Sequence, residues 1–536
     1  MHKRFLIILI FTFITLCVTG QVRNRYRVWL TDKAENTHNI EQPETFLSTK
    51  AIERRTLRNI EITEQDLPVS PTYIQQIKEL GFNIVTTSRW MNTVVIAPGL
   101  DVTIDTIYQL PFVKKVECVQ NDKTSSPFAA QHAPTKTVEE DTTEYIGELE
   151  SYYGAAWEQI NQLNLAPLHQ EGYRGKGMTV AVLDAGFYCV NQNAGIDMSQ
   201  VIGTHDFTRK SFNYINGVDH GSMVLICMAT NVPNTYIGTA PEANYWLMIT
   251  EDNNREFPIE EDYWVAGAEM ADSVGADIIT SSLGYYIYDD PDMSYTHEDL
   301  DGQTAFCSRG ATIAASKGML VVTAAGNEYD TTWKKIVVPG DANGVLTVGG
   351  VSSDGTHSEF SSIGYTADGR VKPDVVARAT KTKVLHTDGM IASVSGTSYS
   401  TPLMTGAMAC LWQAHPEWSV AELIDRVQRG ASQYYTPDEF LGYGIPDIYG
   451  IHCDANSIKH TATDRHDIYM ADNMLHLPTT SYTTTLTIYD TCGRMVWNST
   501  LVQGTDKVDL GHIEKGIYIV TVTTNDSQKA QKIIIR

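Results

Sequence analysis

Between about residues 151 and 455 the chain alternates short, almost wholly apolar runs with longer amphipathic segments. The apolar runs lie at 178–183, 277–281, 319–325 and 345–351. The clearest amphipathic segments, 263–274 and 304–317, each end at a glycine, Gly275 and Gly318. Apolar runs without alternation are typical of strands covered on both faces, and glycine commonly ends a helix. Strands alternating with helices predict an α/β domain with a parallel sheet and crossover connections.

A different pattern precedes this domain. The sequence predicts strands at 26–31, 82–87, 93–97 and 112–119 and helices at 70–80 and 102–110. Their β-α-β-β-α-β order predicts a small α+β, ferredoxin-like unit over residues 21–120. Residues 121–150 are polar, acidic and rich in chain breakers, which is typical of an exposed linker open to proteolysis.

The segment after the central domain changes character again. Short strands are predicted at 484–489, 494–498, 507–510, 517–523 and 531–535. Residues 456–536 are therefore predicted to form a small all-β sandwich.

The first twenty residues resemble a targeting segment. Lys3 and Arg4 precede an apolar run at 5–18, and the small residues Thr19 and Gly20 follow. This layout predicts a secretory signal peptide at 1–20, cleaved near Gln21. A short membrane anchor is the alternative, although the run is too short to cross about 30 Å of hydrocarbon comfortably. No later stretch approaches 18 consecutive apolar residues, so no transmembrane span is expected in the mature chain.

The charge balance limits the classes of partner. The chain has 40 basic and 64 acidic residues and a formal charge of −24. A strongly negative chain repels phosphate, so no nucleic-acid partner is expected.

The cysteine pattern and the acidic loops give less specific information. Seven cysteines follow the signal peptide without a C-x-x-C pair, which argues against a metal cluster and a complete disulfide framework. The sequence is compatible with a single disulfide bridge, for instance between Cys189 and Cys227. No cofactor is required by this sequence. The acidic residues at 289–292 and 298–299 could hold calcium, with a solvated loop as the alternative.

Four segments of the central domain carry polar groups suited to catalysis. Asp184 ends a buried strand, and His220 opens an apolar helical run. Asn327 follows another strand, and Ser398 stands in a small-residue loop that leads into a helix. A serine at a helix N-terminus has free N–H groups nearby that stabilise an oxyanion.

Each segment also has a structural interpretation. Asp184 could serve turn geometry, His220 could be an ordinary loop histidine, Asn327 could belong to a Gly-Asn turn, and Ser398 could cap its helix. Together the segments follow the chain order Asp, His, Ser, which is the order of the subtilisin triad.

With these motifs the central domain at 151–455 resembles the subtilases, the subtilisin family of serine peptidases. The runs Ser282-Leu283-Gly284 and 372–377 (KPDVVA) support the resemblance. It implies a subtilisin-like fold, a catalytic triad of Asp184, His220 and Ser398, an oxyanion donor in Asn327, and a substrate-pairing edge at Ser282, Leu283 and Gly284. Departures from the family pattern are Tyr399-Ser400 for Met-Ala, Ser222 for Thr, and Arg378-Ala379 for Pro-Gly. None of them removes a catalytic group.

The flanking segments resemble known partners of that domain. Residues 21–120 resemble propeptides that chaperone and inhibit subtilases. The tail resembles, more weakly, C-terminal sorting domains of type IX secretion, with a carbohydrate-binding or adhesive module as the alternative. The resemblance implies a secreted or cell-surface serine endopeptidase for polypeptide substrates, made as a self-processed zymogen with its own propeptide as inhibitor and secretion machinery as partner. A catalytically silent binding protein on the same scaffold is the alternative function.

Overall fold

The structure, a computed structural model, describes residues 24–121, 135–138, 147–208, 212–214, 218–386, 388–456, 469–471, 474–477, 484–490, 493–505, 507–523 and 528–535. The expected signal peptide and most of the expected linker lie outside these residues. The chain divides into two compact units between His452 and Cys453. Among the helices of the described residues, none combines the length and apolar character needed to cross a membrane.

The N-terminal part of the first unit is a four-stranded antiparallel sheet with helices. Its elements are β1 (Arg25–Leu30), α1 (Thr49–Leu57), α2 (Pro71–Glu79), β2 (Phe82–Ser88), β3 (Thr93–Pro98) and β4 (Val113–Gln120). The strand order β2-β3-β1-β4 confirms the predicted ferredoxin-like unit. Two details differ: 104–109 forms a 3₁₀ helix instead of an α-helix, and α1 was not predicted.

The expected linker contains one short strand, β5 (Thr135–Val138). Its backbone pairs antiparallel with β16 (Ile391–Ser395), the strand that leads to Ser398. This part of the segment thus has regular structure, where the sequence predicted only an exposed linker.

The rest of the first unit is the predicted α/β domain. Its elements in chain order are α3 (Glu148–Tyr153), α4 (Trp157–Gln162), α5 (Ala166–Gln170), β6 (Thr179–Asp184), β7 (Val201–Asp206), α6 (His220–Ala229), β8 (Asn231–Val232), β9 (Tyr236–Ile237), β10 (Asn244–Ile249), α7 (Ile259–Val274), β11 (Ile278–Ser281), α8 (Phe306–Ser316), β12 (Leu320–Ala324), β13 (Leu346–Val351), β14 (Val375–Arg378), β15 (Thr382–Leu385), β16 (Ile391–Ser395), α9 (Thr397–Ala414), α10 (Val420–Arg429) and α11 (Ile448–Asn456). Seven strands form one parallel sheet in the order β14-β13-β12-β11-β6-β10-β7. The predicted parallel sheet is confirmed.

Helices cover both faces of this sheet. Ile279 of β11 belongs to the apolar core that includes Trp264 of α7 and Ala311 of α8. The next residue, Thr280, accepts a hydrogen bond from Thr405 of α9 at 2.9 Å. Because neighbouring residues of a strand point to opposite faces, α7 and α8 lie on one side and α9 on the other. The middle strands are therefore almost wholly buried, as their apolar sequences predicted.

The second unit, from Cys453 onward, has two small antiparallel sheets. Its strands are β17 (Tyr469–Ala471), β18 (Met474–His476), β19 (Thr484–Asp490), β20 (Met495–Leu501), β21 (Lys507–Asp509), β22 (Gly516–Thr523) and β23 (Gln528–Ile535). They pair in the orders β17-β18-β21 and β20-β19-β22-β23. Leu475 of one sheet and Ile488 and Val520 of the other share one apolar core, as expected for a sandwich.

No disulfide joins the six cysteines within the residues that the structure describes. The bridge between Cys189 and Cys227 that the sequence left open is therefore not formed. Cys227, Cys307 and Cys410 are buried in the apolar interior.

A buried ionic cluster joins the N-terminal domain to α7. The carboxylate of Asp272, fully buried, accepts hydrogen bonds from Arg54, from Arg55 at 2.7 Å and from Arg89 at 3.0 Å. Arg55 also pairs with Asp66, at 3.0 Å. Buried charges are tolerated only when they are paired, so this cluster makes the docking of the two domains specific.

We expect the substitution Asp272→Asn to destabilise the precursor by about 3–5 kcal/mol, because it leaves buried guanidinium groups without their counter-ion. The measurement is urea unfolding in a Ser398→Ala background. Asp425→Asn is the matched control, since Asp425 pairs with Arg429 on an exposed helix face and its loss should cost less than about 1 kcal/mol. Equal effects of the two substitutions would contradict a structural role for the cluster.

Candidate active site

Asp184 and His220 meet at the carboxyl edge of the parallel sheet. Asp184 is the last residue of β6, and His220 is the first residue of α6. The Nδ1 atom of His220 lies 2.7 Å from Oδ1 of Asp184. That oxygen also accepts a hydrogen bond from the backbone N–H of Ala185 at 2.7 Å, while Oδ2 is buried without a partner in the described residues. The predicted pair is thus in hydrogen-bonding contact.

The environment of His220 favours its protonated form. Burial lowers the pKa of the imidazole, but the charge of Asp184, the hydrogen bond to it and the charges of Asp219 and Glu251 together outweigh burial and raise the pKa above its ordinary value of 6.5. A carboxylate on Nδ1 also fixes the tautomer, so that Nε2 of a neutral His220 is free to accept a proton.

Ser398 lies in the same cavity as His220. It is the second residue of α9 and is buried. Its hydroxyl donates to the carbonyl oxygen of Ser282 at 3.2 Å. The hydroxyl of Ser282 donates in return to the carbonyl oxygen of Ser398 at 2.9 Å. The structure thus contains the Asp184–His220 contact, while the serine hydroxyl bonds to Ser282. Such catalytic contacts often form only when substrate binds.

The side-chain amide of Asn327 is oriented by the residue before the candidate nucleophile. Its Oδ1 accepts from the backbone N–H of Thr397 at 2.8 Å and from the Thr397 hydroxyl at 3.0 Å. A backbone N–H can only donate, so the amide oxygen must face Thr397 and the Nδ2 donor is left for the cavity. The Thr397 hydroxyl itself accepts from the N–H of Gly326 at 3.3 Å.

Thr397 is the residue that sequence reasoning missed as part of this site. The sequence places it only in the small-residue loop that contains Ser398. The signal was its position next to the candidate nucleophile, but its contact with Asn327 depends on the distant end of β12 and could not be read from the sequence.

The predicted substrate-pairing residues Ser282, Leu283 and Gly284 follow β11 and line the cavity beside Ser398. Space at this point is limited: a Cβ atom on Gly284 would lie 2.1 Å from the side chain of Val337. Glycine is therefore required where the chain passes Val337.

Tyr399, one of the departures from the family pattern, packs beneath His220. Its ring is fully buried, with its centre 6.3 Å from that of His220. The hydroxyl contacts the sulfur of Met223 at 3.8 Å. The larger residue is thus accommodated within the core beneath the site.

The acidic residues considered for calcium differ in exposure, since Asp292 and Glu298 are exposed to solvent. Asp289 and Asp290 are both buried. Asp290 accepts hydrogen bonds from Asn121 and from the N–H of Asp292. Within the described residues, no three His, Cys, Asp or Glu side chains form a group suited to a metal ion.

The similarity of this chain to known proteins agrees with the geometry of the site. The profile of the subtilase family matches residues 175–444, half of the chain. The chain belongs to the subtilase family. It is a serine-type endopeptidase by this membership, and the motif-based prediction of the family is confirmed.

Two further family profiles match the flanks of this subtilase. The peptidase S8 propeptide domain of Bacteroidota matches residues 25–136, and a secretion system C-terminal sorting domain matches residues 471–536. The predicted propeptide and type IX sorting domain are both confirmed. The sorting domain indicates secretion by that route.

Individual relatives agree with the family. The subtilase is 27% identical to subtilisin NAT of Bacillus subtilis subsp. natto over 294 residues, 54% of this chain and 69% of that protein. It is 31% identical to an intracellular serine protease of Paenibacillus polymyxa over 257 residues, 46% of this chain and 70% of that protein. The crystal structure of fervidolysin from Fervidobacterium pennivorans, described as a keratinolytic enzyme related to subtilisin, has a TM-score of 0.55 at 16% identity and covers 94% of this chain and 71% of that chain. At this identity the last match supports the fold alone.

The pKa of His220 tests the geometry without reference to activity. In a Ser398→Ala background, we expect the His220 imidazole to titrate above pH 6.5 and to fall below that value in Asp184→Asn, because burial then acts without the carboxylate. The measurement is histidine NMR titration, with the His220 signal assigned by its absence in His220→Gln. An unchanged pKa in Asp184→Asn would contradict the contact.

Proposed function

We propose that this subtilase is a secreted endopeptidase made as a self-processed zymogen, with Asp184, His220 and Ser398 as its triad and Asn327 as its oxyanion donor. The observation that carries the proposal is the 2.7 Å contact between His220 and Asp184 at the wall of a cavity that also contains Ser398.

The acylation step begins with proton transfer. Ser398 gives up its hydrogen bond to Ser282, and Nε2 of His220 accepts its proton as Oγ attacks the peptide carbonyl carbon. Asp184 stabilises the resulting imidazolium. The C–N bond then breaks, and His220 donates the proton to the leaving amine. Water, deprotonated by the same histidine, hydrolyses the acyl-enzyme and restores Ser398.

The developing oxyanion is stabilised by fixed donors. Asn327 offers Nδ2 because Thr397 holds its carbonyl oxygen. The backbone N–H of Ser398 at the beginning of α9 adds the positive end of a helix dipole. Since both groups are held before substrate binds, little reorganisation is needed in the transition state.

The maturation proposal rests on the domain order. Residues 1–20 would be the signal peptide, 21–120 the inhibitory propeptide, 121–150 the processing segment, 151–455 the peptidase and 456–536 the sorting domain. Arg54, Arg55 and Arg89 join the propeptide to the peptidase through buried contacts. These contacts support inhibition by the propeptide until it is removed. Polypeptides are the proposed substrates, and the sorting domain would engage the secretion machinery at the outer membrane.

Removing the proposed oxyanion donor should slow the chemical step. We expect Asn327→Ala to lower kcat of the processed enzyme by about 10²–10³, the loss typical of the equivalent change in a subtilisin, with a smaller change in KM. Steady-state kinetics on a chromogenic peptide measures both. An unchanged kcat would remove Asn327 from this role.

Removing the proposed nucleophile should abolish both activity and maturation. Ser398→Ala is expected to accumulate as the unprocessed precursor and to resist labelling by a fluorophosphonate, which reacts with activated serines. Intact mass and N-terminal sequencing of the protein expressed alone provide the readout, with Ser400→Ala as the control variant. The appearance of the wild-type mature N-terminus in Ser398→Ala would contradict self-processing. Failure of the processed wild type to label would favour the silent-scaffold alternative.

A further inference from the structure

The cavity beside Ser398 is strongly acidic. It has a volume of about 430 Å³, and six carboxylates but no lysine or arginine belong to its lining. The carboxylates are those of Asp219, Glu251, Asp252, Glu256, Glu260 and Glu328. A cavity of this kind attracts cationic groups, but its net charge alone does not identify the groups that would bind them.

Several of these carboxylates are already satisfied by the protein. Asp219 faces His386 at 3.2 Å, and Glu328 accepts from the hydroxyl of Tyr286 at 2.7 Å. Glu260 accepts from the N–H groups of Asp252 and Phe257 at 2.7 and 3.1 Å, and Asp252 accepts from Asn254. These interactions give the four side chains a structural role.

Glu251 differs because half of its carboxylate is unused. The side chain is only 9% exposed, yet it belongs to the cavity lining. Its Oε1 atom accepts two hydrogen bonds, one from the hydroxyl of Thr250 at 2.9 Å and one from the hydroxyl of Tyr285 at 2.6 Å. The other oxygen, Oε2, has no hydrogen-bond or ion-pair partner in the described part of the chain.

Glu256 has no recorded partner for either carboxylate oxygen in the described residues. Its backbone is held instead by Asp289, which donates its N–H to the Glu256 carbonyl at 2.9 Å. Asp289 adds a third negative charge, and its Oδ1 is buried without a partner in the described residues. Three acidic groups therefore lie near one another. The charge of His220 acts on Glu251 and that of Arg255 on Asp289, but no cation of the described residues forms an ion pair with any of the three.

The titration of these groups reflects that imbalance. Burial raises the pKa of Glu251 to about 7. Burial, with the charges of Glu251 and Asp289, also raises the pKa of Glu256 well above its ordinary value. A cation brought in from outside would relieve the repulsion and favour the charged forms.

We propose that Glu251 and Glu256 form a specificity site that selects polypeptides with a lysine or arginine side chain close to the scissile bond. The proposal rests on the peptidase function proposed above. An ammonium or guanidinium group supplies several N–H donors, and it would fill the open Oε2 of Glu251 and the free carboxylate of Glu256. The substrate backbone brings this side chain to the cavity, since Ser282, Leu283 and Gly284 line the same space.

The test compares pairs of fluorogenic peptides that differ only by lysine or norleucine, placed in turn at the four positions before the scissile bond. At one position the processed wild-type enzyme should prefer lysine by about tenfold or more in kcat/KM, since a hydrogen-bonded charge contributes about 1.5–3 kcal/mol. Glu256→Gln should reduce this ratio, and the double variant with Glu251→Gln should reduce it further, to near one.

Glu359→Gln is the matched control, because it removes the same charge from an exposed residue outside the cavity lining. It should keep the wild-type ratio. Lack of a lysine preference at every position in the wild type, or an unchanged ratio in Glu256→Gln, would overturn the specificity site. Equal loss of the ratio in Glu359→Gln would also overturn it, since the effect would then be long-range attraction.

Labelling separates this proposal from the one on which it rests. An enzyme that reacts with a fluorophosphonate and cleaves both members of each pair equally would overturn the specificity site alone. A protein that neither labels nor cleaves any peptide would overturn the proposed peptidase function.

Discussion

Adjacent parallel strands β6, β11 and β12 end at one edge of the central sheet, and the candidate site depends on this alignment. In the pairing register, Ser281 of β11 lies opposite Leu183 of β6 and Thr323 of β12. The residues that follow these three positions therefore emerge side by side. Asp184 directly follows Leu183, and Ser282 directly follows Ser281. Asn327 lies a few residues after Thr323. Because all strands run in the same direction, polar groups far apart in sequence share one edge.

Two helices complete the arrangement from the same edge. Helix α6 begins at His220 and α9 begins one residue before Ser398. Almost all of α9 is buried, and it packs against α6 and the sheet strands. Small shifts of such a closely packed helix would create voids or overlaps, so its first turn is held in place. Packing of the core therefore positions the candidate nucleophile.

In the first unit, buried positive charges of the propeptide pair with buried negative charges of the peptidase. The propeptide supplies buried arginines, among them Arg27, Arg54 and Arg55, whose partners Asp262 and Asp272 belong to α7 of the peptidase. The cavity beside Ser398 is acidic as well, but no lysine or arginine belongs to its lining, and Glu251 and Glu256 form no ion pair within the described residues. Burial makes unpaired carboxylates unfavourable, so both surfaces favour basic partners: the propeptide at α7, and a substrate side chain in the cavity.

The strands at the centre of the sheet were predictable because they are covered on both faces and carry continuous apolar sequences. The predicted runs at 178–183, 277–281, 319–325 and 345–351 correspond to β6, β11, β12 and β13. The sequence analysis did not identify β7, β10 or β14. Strand β7 is one edge of the sheet and has a mixed, partly exposed sequence, β14 at the other edge has only four residues, and β10 begins with a partly exposed asparagine.

Helix α1 was missed for a related reason. Its buried face contains Arg54 and Arg55, which pair with Asp272 far along the chain. Charged residues on a helix are normally read as a solvated surface, so the helical pattern had no apolar face to reveal it. The 3₁₀ helix at 104–109 was predicted in position but not in type, since the two kinds of helix share similar spacing over such a short length.

The sequence by itself determined the parallel sheet, and it predicted the order of the domains and the candidate roles of Asp184, His220, Asn327 and Ser398, because these depend on local patterning and on short motifs. Only the tertiary structure decided that Thr397 orients Asn327, that Ser398 donates to Ser282, and that Glu251 and Glu256 line the cavity without an ion-pair partner among the described residues. Contacts of this kind join segments far apart in the chain, and they follow from how helices and strands pack. Residue spacing along one segment contains no information about them.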